Sequence, residues 1–374
     1  MDKINEILAS LAGTSNLRSI PRDTTSAVGL IDLSSNDYLG ISENESLFQK
    51  FLEAADDMKP RGGSVASRLL ASRQNEYFEL EDEIARSYKR EALLFNSGYH
   101  ANVGILQALG DKKTLFVADK LVHASMIDGM GLATVAGASF VRFRHNDFNH
   151  LKKIVETKGK DFDRVVIVAE SVYSMDGDTT DIDSLVEARS MHKNAMIYLD
   201  EAHAVGVLGV AGLGLAASHP RYDKIDIVVG TLGKAFASMG AYVVTSSTMK
   251  DYLVNRCRSF IFSTAVPPLS TLWSLMTFRY SLSADTDRDK LKAVARRLAE
   301  ILPGAETPSH IQPLIIGTPT GAIEMAGKLR EVGYKVLPIR TPTVPPGTDR
   351  LRFSLSAALN PEDLERLRDF FGTY

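Results

Sequence analysis

The fold class is indicated by Arg164-Val165-Val166-Ile167-Val168-Ala169, a continuous apolar run with the length of one β-strand. Two further runs of this kind are Ala195-Met196-Ile197-Tyr198-Leu199 and Ile225-Asp226-Ile227-Val228-Val229, and helical patterns such as Ile182 to Met191 separate them. Strands that are apolar on both faces and alternate with helices are typical of a mostly parallel sheet covered on both sides. The sequence therefore predicts an α/β fold with such a sheet at its centre.

The pattern changes beyond about Thr271. A long helical stretch over 288–302, proline-rich turns and an alternating strand over 350–355 follow, and a last helix is marked by Asn360 as N-cap with Pro361 behind it. We therefore predict an N-terminal helix and arm over residues 1–40, a large domain over 41–280 and a small C-terminal α+β domain over 281–374.

Composition excludes several function classes. The 43 Lys and Arg residues against 46 Asp and Glu give a net charge of −3, which does not support a nucleic-acid or anionic-membrane surface. No apolar run approaches the ~18 residues of a membrane helix. With Cys257 as the one cysteine, no intrachain disulfide can form, and we expect a cytoplasmic protein. The eight histidines lack metal-ligand spacing, so no metal site is expected.

Three predicted strands end in polar residues, at the sheet edge where parallel α/β proteins bind ligands. The first leads into Asn96-Ser97-Gly98-Tyr99 and a helix, whose N-terminus could bind a phosphate or could simply be capped. The second leads into Asp200-Glu201-Ala202-His203, a tetrapeptide also found in nucleotide-hydrolysing helicases. That function requires a phosphate loop ending in Gly-Lys-Ser/Thr, and none of the Gly-Lys pairs, at 159–160, 233–234 and 327–328, has the Ser or Thr.

The third strand leads into Gly230-Thr231-Leu232-Gly233-Lys234. Most lysines are solvated, but a lysine in a partly desolvated site has a lowered pKa and an amine available for Schiff-base chemistry. A carboxylate on a neighbouring strand, here Asp200, could keep the ring nitrogen of a pyridinium cofactor protonated. In isolation Asp200 could equally be a turn residue and His203 a structural histidine.

Together these segments resemble the α-oxoamine synthase family of fold-type-I pyridoxal 5'-phosphate (PLP) enzymes, over nearly the whole chain. The matching motifs, in order, are Ser34-Ser35-Asn36-Asp37-Tyr38-Leu39-Gly40, Asp119-Lys120-Leu121-Val122-His123-Ala124-Ser125, Glu170-Ser171-Val172-Tyr173-Ser174-Met175-Asp176-Gly177-Asp178, Asp200-Glu201-Ala202-His203 and Thr231-Leu232-Gly233-Lys234.

The resemblance implies a role for each matching residue. Lys234 would form the Schiff base and later move protons, Asp200 would pair with the ring nitrogen, and His123 would stack on the ring. His203 and Ser174 would contact the phenolic oxygen. The remaining implied ligands of the phosphate are Ser97, Gly98, Tyr99 and Thr231, and in a homodimer Thr264 would reach the phosphate of the neighbouring subunit. The implied ligands of the substrates are Asn36, Arg352 and Arg18.

The implied reaction is a decarboxylating condensation of an amino acid with an acyl thioester of coenzyme A or a carrier protein. The segment 339–352 and Leu17-Arg18 resemble the branch that joins L-alanine to a pimeloyl thioester. Alternation over 350–355 places Arg350 and Arg352 on one polar face, which could bind a carboxylate or be a solvated edge. Glycine-using synthases with short acyl groups, an aminotransferase of the same fold and an inactive cofactor-binding scaffold remain alternatives.

Four positions depart from the family pattern. Val65, Ala66, Ser72 and Ala237 stand where glycine is common. Their side chains could narrow or reshape the pocket for the acyl chain, so the resemblance leaves the thioester less certain than the cofactor.

Overall fold

The structure is a computed structural model that describes residues 1–18, 20, 29–72, 74–305 and 308–372. The chain divides into two compact units. The larger comprises Leu39–Tyr173 and Asp178–Asp285, and the smaller comprises Met1–Tyr38, Ser174–Gly177 and Thr286–Tyr374. The chain therefore passes from one unit to the other four times, after residues 38, 173, 177 and 285. The division at residues 40 and 280 that the sequence suggests stays a prediction about domains.

The larger unit holds a sheet with helices on its faces. Its strands are β2 (Glu91–Phe95), β3 (Thr114–Asp119), β4 (Ser139–Phe143), β5 (Arg164–Glu170), β6 (Ala195–Asp200), β7 (Ile227–Thr231) and β8 (Ala241–Thr245). Its helices are α2 (Glu45–Met58), α3 (Asn75–Tyr88), α4 (Gly98–Leu109), α5 (Ala124–Thr134), α6 (Phe148–Lys158), α7 (Ile182–Ser190), α8 (Gly214–Ala217), α9 (Ser247–Arg256), α10 (Arg258–Ile261) and α11 (Pro268–Leu282).

This sheet has the strand order β2-β8-β7-β6-β5-β3-β4. Strand β8 runs antiparallel to both of its neighbours, and the other four pairs are parallel. The predicted mostly parallel central sheet is thus confirmed. The third apolar run begins its strand at Ile227 rather than Ile225, because the carboxylate of Asp226 accepts hydrogen bonds from Arg189 and from the backbone N–H of Ile197.

Strand β5 shows why the run 164–169 is apolar throughout. Val165 and Ile167 pack into one core with residues of α3, α6, α7 and α11. Val166 and Val168, which point the other way, pack into a second core with residues of α4, α5 and α9. Full burial of each such side chain contributes about 1.5–3 kcal/mol. A strand buried on both faces cannot show the polar alternation of a half-exposed one.

The smaller unit contains two small sheets. Its strands are β1 (Ile31–Asp32), β9 (Ile311–Ile315), β10 (Tyr334–Lys335), β11 (Leu337–Ile339) and β12 (Arg350–Ser354), and its helices are α1 (Asp2–Gly13), α12 (Asp285–Ile301), α13 (Pro319–Glu331) and α14 (Glu365–Gly372). Strand β1 pairs in parallel with β10, and β12 lies between β11 and β9 in an antiparallel sheet. The alternative of a solvated edge strand is therefore wrong for β12. Arg350 and Arg352 are buried.

The described part of the chain can be assessed for membrane-spanning helices and for groups of metal-ligating side chains. Among its helices, none is both long enough and apolar enough to cross a membrane. Within the same residues, no group of three or more His, Cys, Asp or Glu side chains could hold a metal ion.

Candidate active site

Three neighbouring parallel strands end in the residues that form the wall of a cavity. The last residues of β5, β6 and β7 are Glu170, Asp200 and Thr231. The cavity has a volume of about 160 Å³. Its lining residues are Gly98, Tyr99, Asn102, His123, Ser125, Glu170, Asp200, Ala202, His203, Thr231 and Lys234. Seven of these are predicted site residues, which the sequence spreads over more than 130 positions and the sheet edge brings together.

Helix α4 opens at the cavity. Ser97 caps the helix, because its hydroxyl oxygen accepts a hydrogen bond of 3.2 Å from the backbone N–H of His100. The N–H groups of Gly98 and Tyr99 belong to the first turn, where a helix offers no acceptor of its own. Gly98 faces Thr231, since a Cβ on this glycine would lie 3.9 Å from the threonine Oγ1. Unpaired N–H groups beside a hydroxyl are a suitable site for a phosphate.

Lys234 is held by a tight turn after β7. The N–H of Ala237 donates to the carbonyl oxygen of Lys234 at 2.8 Å, and Trp273 donates to the carbonyl oxygen of Ala237 at 2.9 Å. The half-buried lysine places its Nζ 2.7 Å from Nε2 of buried His203. An amine in direct contact with an imidazole can exchange a proton with it.

Asp200 is buried in the cavity wall and accepts two hydrogen bonds. The backbone N–H of Ala202 donates to Oδ1 at 2.8 Å, and Nδ2 of Asn102 donates to Oδ2 at 2.7 Å. A carboxylate has room for about four such bonds. Asp200 can therefore accept one more from a protonated ring nitrogen.

His123 precedes α5 at the rim of the cavity. Its Nδ1 lies 2.7 Å from the hydroxyl oxygen of Ser125 and 3.3 Å from the backbone N of the same residue. The residue is exposed on one side, and desolvation of the other lowers its pKa. The charge of Lys234 acts in the same direction, whereas Asp200 and Asp128 oppose it. His123 therefore tends to be a neutral imidazole at neutral pH.

Sequence reasoning missed Glu170, Asn102 and Ser125 as parts of this site. Glu170 lies beside Asp200 in the register of β5 and β6, and one of its oxygens accepts the backbone N–H of His123. Burial raises the pKa of Glu170 well above its usual range, and the charge of Asp200 raises it further. The charge of Lys234 and the hydrogen bond from the His123 backbone N–H oppose this rise in pKa but do not outweigh it. An acid as the last residue of a buried strand was the signal that could have found it.

The remaining predicted ligands lie outside the cavity lining. Ser174 and Arg352 lie in the smaller unit, where the serine carbonyl oxygen accepts a 2.6 Å hydrogen bond from Nε of the arginine. Both terminal nitrogens of Arg352 lie 3.1 Å from Oδ1 of Asn36, so these two predicted residues do meet. Arg18 donates to the hydroxyl of Thr343 at 2.7 Å.

Thr264 is exposed in the larger unit and follows α10. Its carbonyl oxygen accepts a hydrogen bond from the side-chain amide of Asn96, and the N–H of Ala265 donates to the carbonyl oxygen of Ala66 at 3.0 Å. The segment that carries Thr264 is thus tied to the loop at 61–72. The predicted contact of Thr264 with a neighbouring subunit stays a prediction.

Three of the four departures from the family pattern line a second cavity, of about 80 Å³, in the larger unit. Its lining residues are Arg61, Gly63, Ser64, Val65, Ala66, Leu70, Ala71, Ser72 and Pro268. The fourth, Ala237, lies in the turn after Lys234. The departures therefore fall at two separate places, and only the loop at 61–72 could alter the width of a cavity.

The groups that line the larger cavity fit pyridoxal phosphate. Gly98, Tyr99 and Thr231 could donate hydrogen bonds to its phosphate, Asp200 could accept one from its ring nitrogen, and the amine of Lys234 could react with its aldehyde. The carboxylate and the amine lie at the ends of adjacent strands, which suits a small planar ligand with different groups at its two ends.

Comparison with known proteins gives consistent results. The family model for aminotransferase class I and II matches residues 28–371. A Pasteurella multocida protein provisionally named 8-amino-7-oxononanoate synthase is 48% identical over 343 residues, covering 90% of this chain and 88% of its own.

Solved structures resemble the chain over most of its length. A serine palmitoyltransferase with its PLP internal aldimine has a TM-score of 0.86 and 27% identity, covering 100% of this chain and 96% of its own. The 8-amino-7-oxononanoate synthase of Francisella tularensis has a TM-score of 0.76 and 27% identity, covering 92% and 97%. Both likenesses agree with the predicted fold type.

Proposed function

We propose that this chain, which belongs to the aminotransferase class I and II family and within it to the PLP-dependent α-oxoamine synthases, condenses L-alanine with a pimeloyl thioester to give 8-amino-7-oxononanoate and carbon dioxide, a step of biotin biosynthesis. The observation that carries the proposal is the amine of Lys234 in one cavity with the Asp200 carboxylate and the α4 N-terminus. The 48% identity to a relative of that name supports the choice of substrates.

The residues of the cavity divide the work. Pyridoxal phosphate, when bound, supplies a ring that accepts the electron pair of a carbanion. Asp200 would hold the ring nitrogen in its protonated form, and Gly98, Tyr99 and Thr231 would hold the phosphate. Lys234 would hold the aldehyde end of the cofactor, and as a free amine it would move the proton at the substrate α-carbon. His203, 2.7 Å from that amine, exchanges protons with it.

Arg352 is our candidate for binding the amino-acid carboxylate. Its guanidinium is buried in the smaller unit, and Asn36 and Ser174 fix its plane through hydrogen bonds of 2.6–3.1 Å. A guanidinium held in this way loses little conformational freedom when it binds a carboxylate. The role of Arg18 at the distal carboxylate of the pimeloyl chain is the corresponding proposal for the second substrate.

A second candidate is an α-oxoamine synthase that uses another amino acid or acyl thioester. The higher TM-score to serine palmitoyltransferase, 0.86 against 0.76 for the Francisella tularensis enzyme, favours it. The side chains of Val65 and Ser72, in place of common glycines, agree with a modified acyl pocket. A synthase that joins glycine to a short acyl thioester is one form of this second candidate.

The test is a substrate matrix with purified, PLP-loaded protein. Alanine, glycine and serine are each combined with pimeloyl, acetyl and palmitoyl thioesters, and thiol and carbon dioxide release are timed. We expect alanine with a pimeloyl thioester to exceed every other pair in kcat/KM by at least about tenfold, the discrimination that a shaped pocket commonly gives. Thiol release from a different pair alone would support the second candidate. Keto-acid formation without thiol or carbon dioxide release would identify an aminotransferase.

Two variants control the matrix. Lys234→Ala should abolish turnover, and borohydride reduction of the PLP-loaded wild type should add the cofactor mass to the peptide that contains Lys234. Lys250→Ala is the matched control, since Lys250 pairs with Glu91 at 2.9 Å and does not line the cavity. Label on another lysine would contradict the assignment.

A further inference from the structure

Asn102 connects two predicted cofactor ligands that are far apart in the sequence. This residue of α4 is 2% exposed, and its side-chain amide contacts three polar groups. Its Nδ2 lies 2.7 Å from Oδ2 of Asp200 and 2.9 Å from the hydroxyl oxygen of Ser125. Its Oδ1 lies 2.6 Å from the hydroxyl oxygen of Tyr198. Both donor positions of the nitrogen and one of the two acceptor positions of the oxygen are therefore used.

The chemistry of these groups sets the direction of every hydrogen bond. An amide oxygen only accepts, so buried Tyr198 is the donor to Oδ1. A flipped amide would place its oxygen against the Asp200 carboxylate, which is also an acceptor, so the two N–H groups must point to Asp200 and Ser125. The orientation of the amide is thus fixed without reference to any ligand.

The direction of the hydrogen bond between Ser125 and His123 follows from that between Asn102 and Ser125. Because the Ser125 oxygen accepts from Asn102, its own hydrogen is free to donate to Nδ1 of His123, 2.7 Å away. The backbone N–H of Ser125 faces the same nitrogen at 3.3 Å and can only donate. A ring nitrogen that faces two donors cannot carry a proton of its own without breaking both contacts. The proton of a neutral His123 ring is therefore placed on Nε2.

We propose that Asn102 is a positioning residue that holds the Asp200 carboxylate in place and, through Ser125, keeps His123 as the neutral ring with its proton on Nε2. The first half rests on the proposed function, because it concerns a carboxylate that serves the cofactor ring. The second half concerns the protein alone.

The two effects serve one purpose. Asp200 favours a positive charge on the cofactor ring, and a cationic imidazolium stacked on that ring would repel it. The charged groups facing His123 are Asp200, Asp128 and Lys234, and the two carboxylates favour a cationic histidine. The hydrogen bonds that begin at Asn102 oppose them. One amide thus lets the ring be positive and the histidine above it neutral.

The experiment measures the nitrogen resonances of His123 in full-length protein labelled with ring-¹⁵N histidine, first without PLP and then with it. His123→Asn identifies the signals. In the wild type we expect Nδ1 to resonate as an unprotonated nitrogen and Nε2 as a protonated one. In Asn102→Leu the Ser125 hydroxyl can turn and accept from Nδ1, so protonated Nδ1 should appear and the pKa of His123 should rise by about one unit.

Tyr198→Phe and Ser125→Ala keep the proposal testable if Asn102→Leu does not fold. Tyr198→Phe frees the amide to rotate and should give the same change in part, whereas Ser125→Ala removes the donor to His123 directly and should give it in full. Tyr88→Phe is the matched control, because Tyr88 is equally buried and its hydroxyl contacts Tyr242 at 2.9 Å outside the cavity lining. Unchanged His123 signals in a folded Asn102→Leu or Ser125→Ala protein would overturn the proposal.

The affinity for PLP tests whether Asn102 holds the Asp200 carboxylate in place. Loss of one hydrogen bond to a charged carboxylate should weaken PLP binding in Asn102→Leu by about tenfold or more, and Tyr88→Phe should bind as wild type. If affinity is unchanged in Asn102→Leu, Asn102 does not position Asp200. The spectra of the PLP-free protein do not depend on the substrate, so an unexpected result in the substrate matrix leaves this test intact.

Discussion

Ala237 holds a left-handed backbone conformation, with φ of 45°, in the turn that follows Lys234. This conformation brings Cβ of an L-residue close to the following carbonyl oxygen and costs about 1–2 kcal/mol, which glycine does not incur. A glycine at this position, which the family resemblance leads one to expect, would avoid that cost. The departure is therefore a local cost in stability, separate from the shape of any pocket.

At this residue we expect Ala237→Gly to raise the free energy of unfolding by about 0.5–1 kcal/mol, since the relief of strain exceeds the entropy that glycine loses on folding. Thermal unfolding should shift upward by about 2 °C, measured by calorimetry. Ala211→Gly, at φ of 54°, should act in the same direction. Ala54→Gly, inside α2, should lower stability by about 1 kcal/mol. A fall in stability for Ala237→Gly would show that the turn is not strained.

Site residues with reactive side chains next to a recognisable strand end could be predicted from the sequence. Lys234 and Asp200 follow buried strands, and His203 follows Asp200 by three positions, so strand ends located all of them. Asn102 could not be found in this way, because it lies in the middle of α4 and its importance depends on contacts with Tyr198 and Ser125 that only the folded chain creates. Its sequence neighbours look like those of any buried helix residue.

At the scale of elements, His145 joins the ends of three strands. This residue follows β4, and its Nδ1 lies 2.9 Å from Asp119, the last residue of β3. Its Nε2 lies 2.8 Å from Asp178, and its ring contacts that of Tyr173, after β5, at 4.4 Å between centroids. Burial alone would lower the pKa of His145, but the hydrogen bonds and charges of Asp119 and Asp178 outweigh it and raise the pKa to about 10.

A pKa raised on folding makes stability depend on pH. The contribution of His145 should be complete below its unfolded pKa of about 6.5 and should be lost as the pH rises through about 10. We expect His145→Gln to lower the free energy of unfolding at pH 7 by an amount on the order of a few kcal/mol and to flatten its fall between pH 6.5 and 10. Urea unfolding across that range measures both effects.

His150→Gln is the matched control, because the His150 ring accepts one backbone hydrogen bond of 3.1 Å from Arg144 and, among the described contacts, only the backbone N–H of His150 donates to a carboxylate, that of Asp147. It should retain the wild-type pH dependence. If His145→Gln retained it as well, another group would be responsible for the loss of stability at alkaline pH.

Elements were predictable where burial leaves a pattern. The apolar runs located β5 and β6 closely. They located β7 only to within two residues, because the hydrogen bonds of Asp226 with Arg189 and Ile197 cannot be foreseen from its apolar neighbours. Alternation over 350–355 located β12 but left its environment open. Its central place depends on β9 and β11 pairing on either side, which no local pattern encodes.

At the scale of the whole molecule, large apolar side chains are exposed near Thr264. Val65 is 92% exposed, Leu70 79% and Phe262 71%, and the backbone of 66 pairs with that of 265 between them. Exposed apolar side chains grouped in this way often mark an interface. They agree with the proposed homodimer in which Thr264 serves the neighbouring active site.

We therefore expect light scattering to give twice the chain mass of 40.9 kDa. Val65→Asp should shift the equilibrium toward the monomer, because an interface buries a charge only at a high cost. Val135→Asp is the control, since Val135 is also highly exposed, at 87%, but follows α5. A monomeric wild type, or equal dissociation of both variants, would contradict a dimer built on this surface.

The parallel pairing of β1 with β10 has a consequence for how the chain is made. Ile31 pairs with Tyr334, so the segment of β1 leaves the ribosome well before the strand with which it pairs has been translated. During synthesis the larger unit can collapse while the early segment stays without its strand partner. A chain truncated before residue 334 should consequently expose that segment to chaperones and proteases, even though Lys234 and the central sheet are present in full.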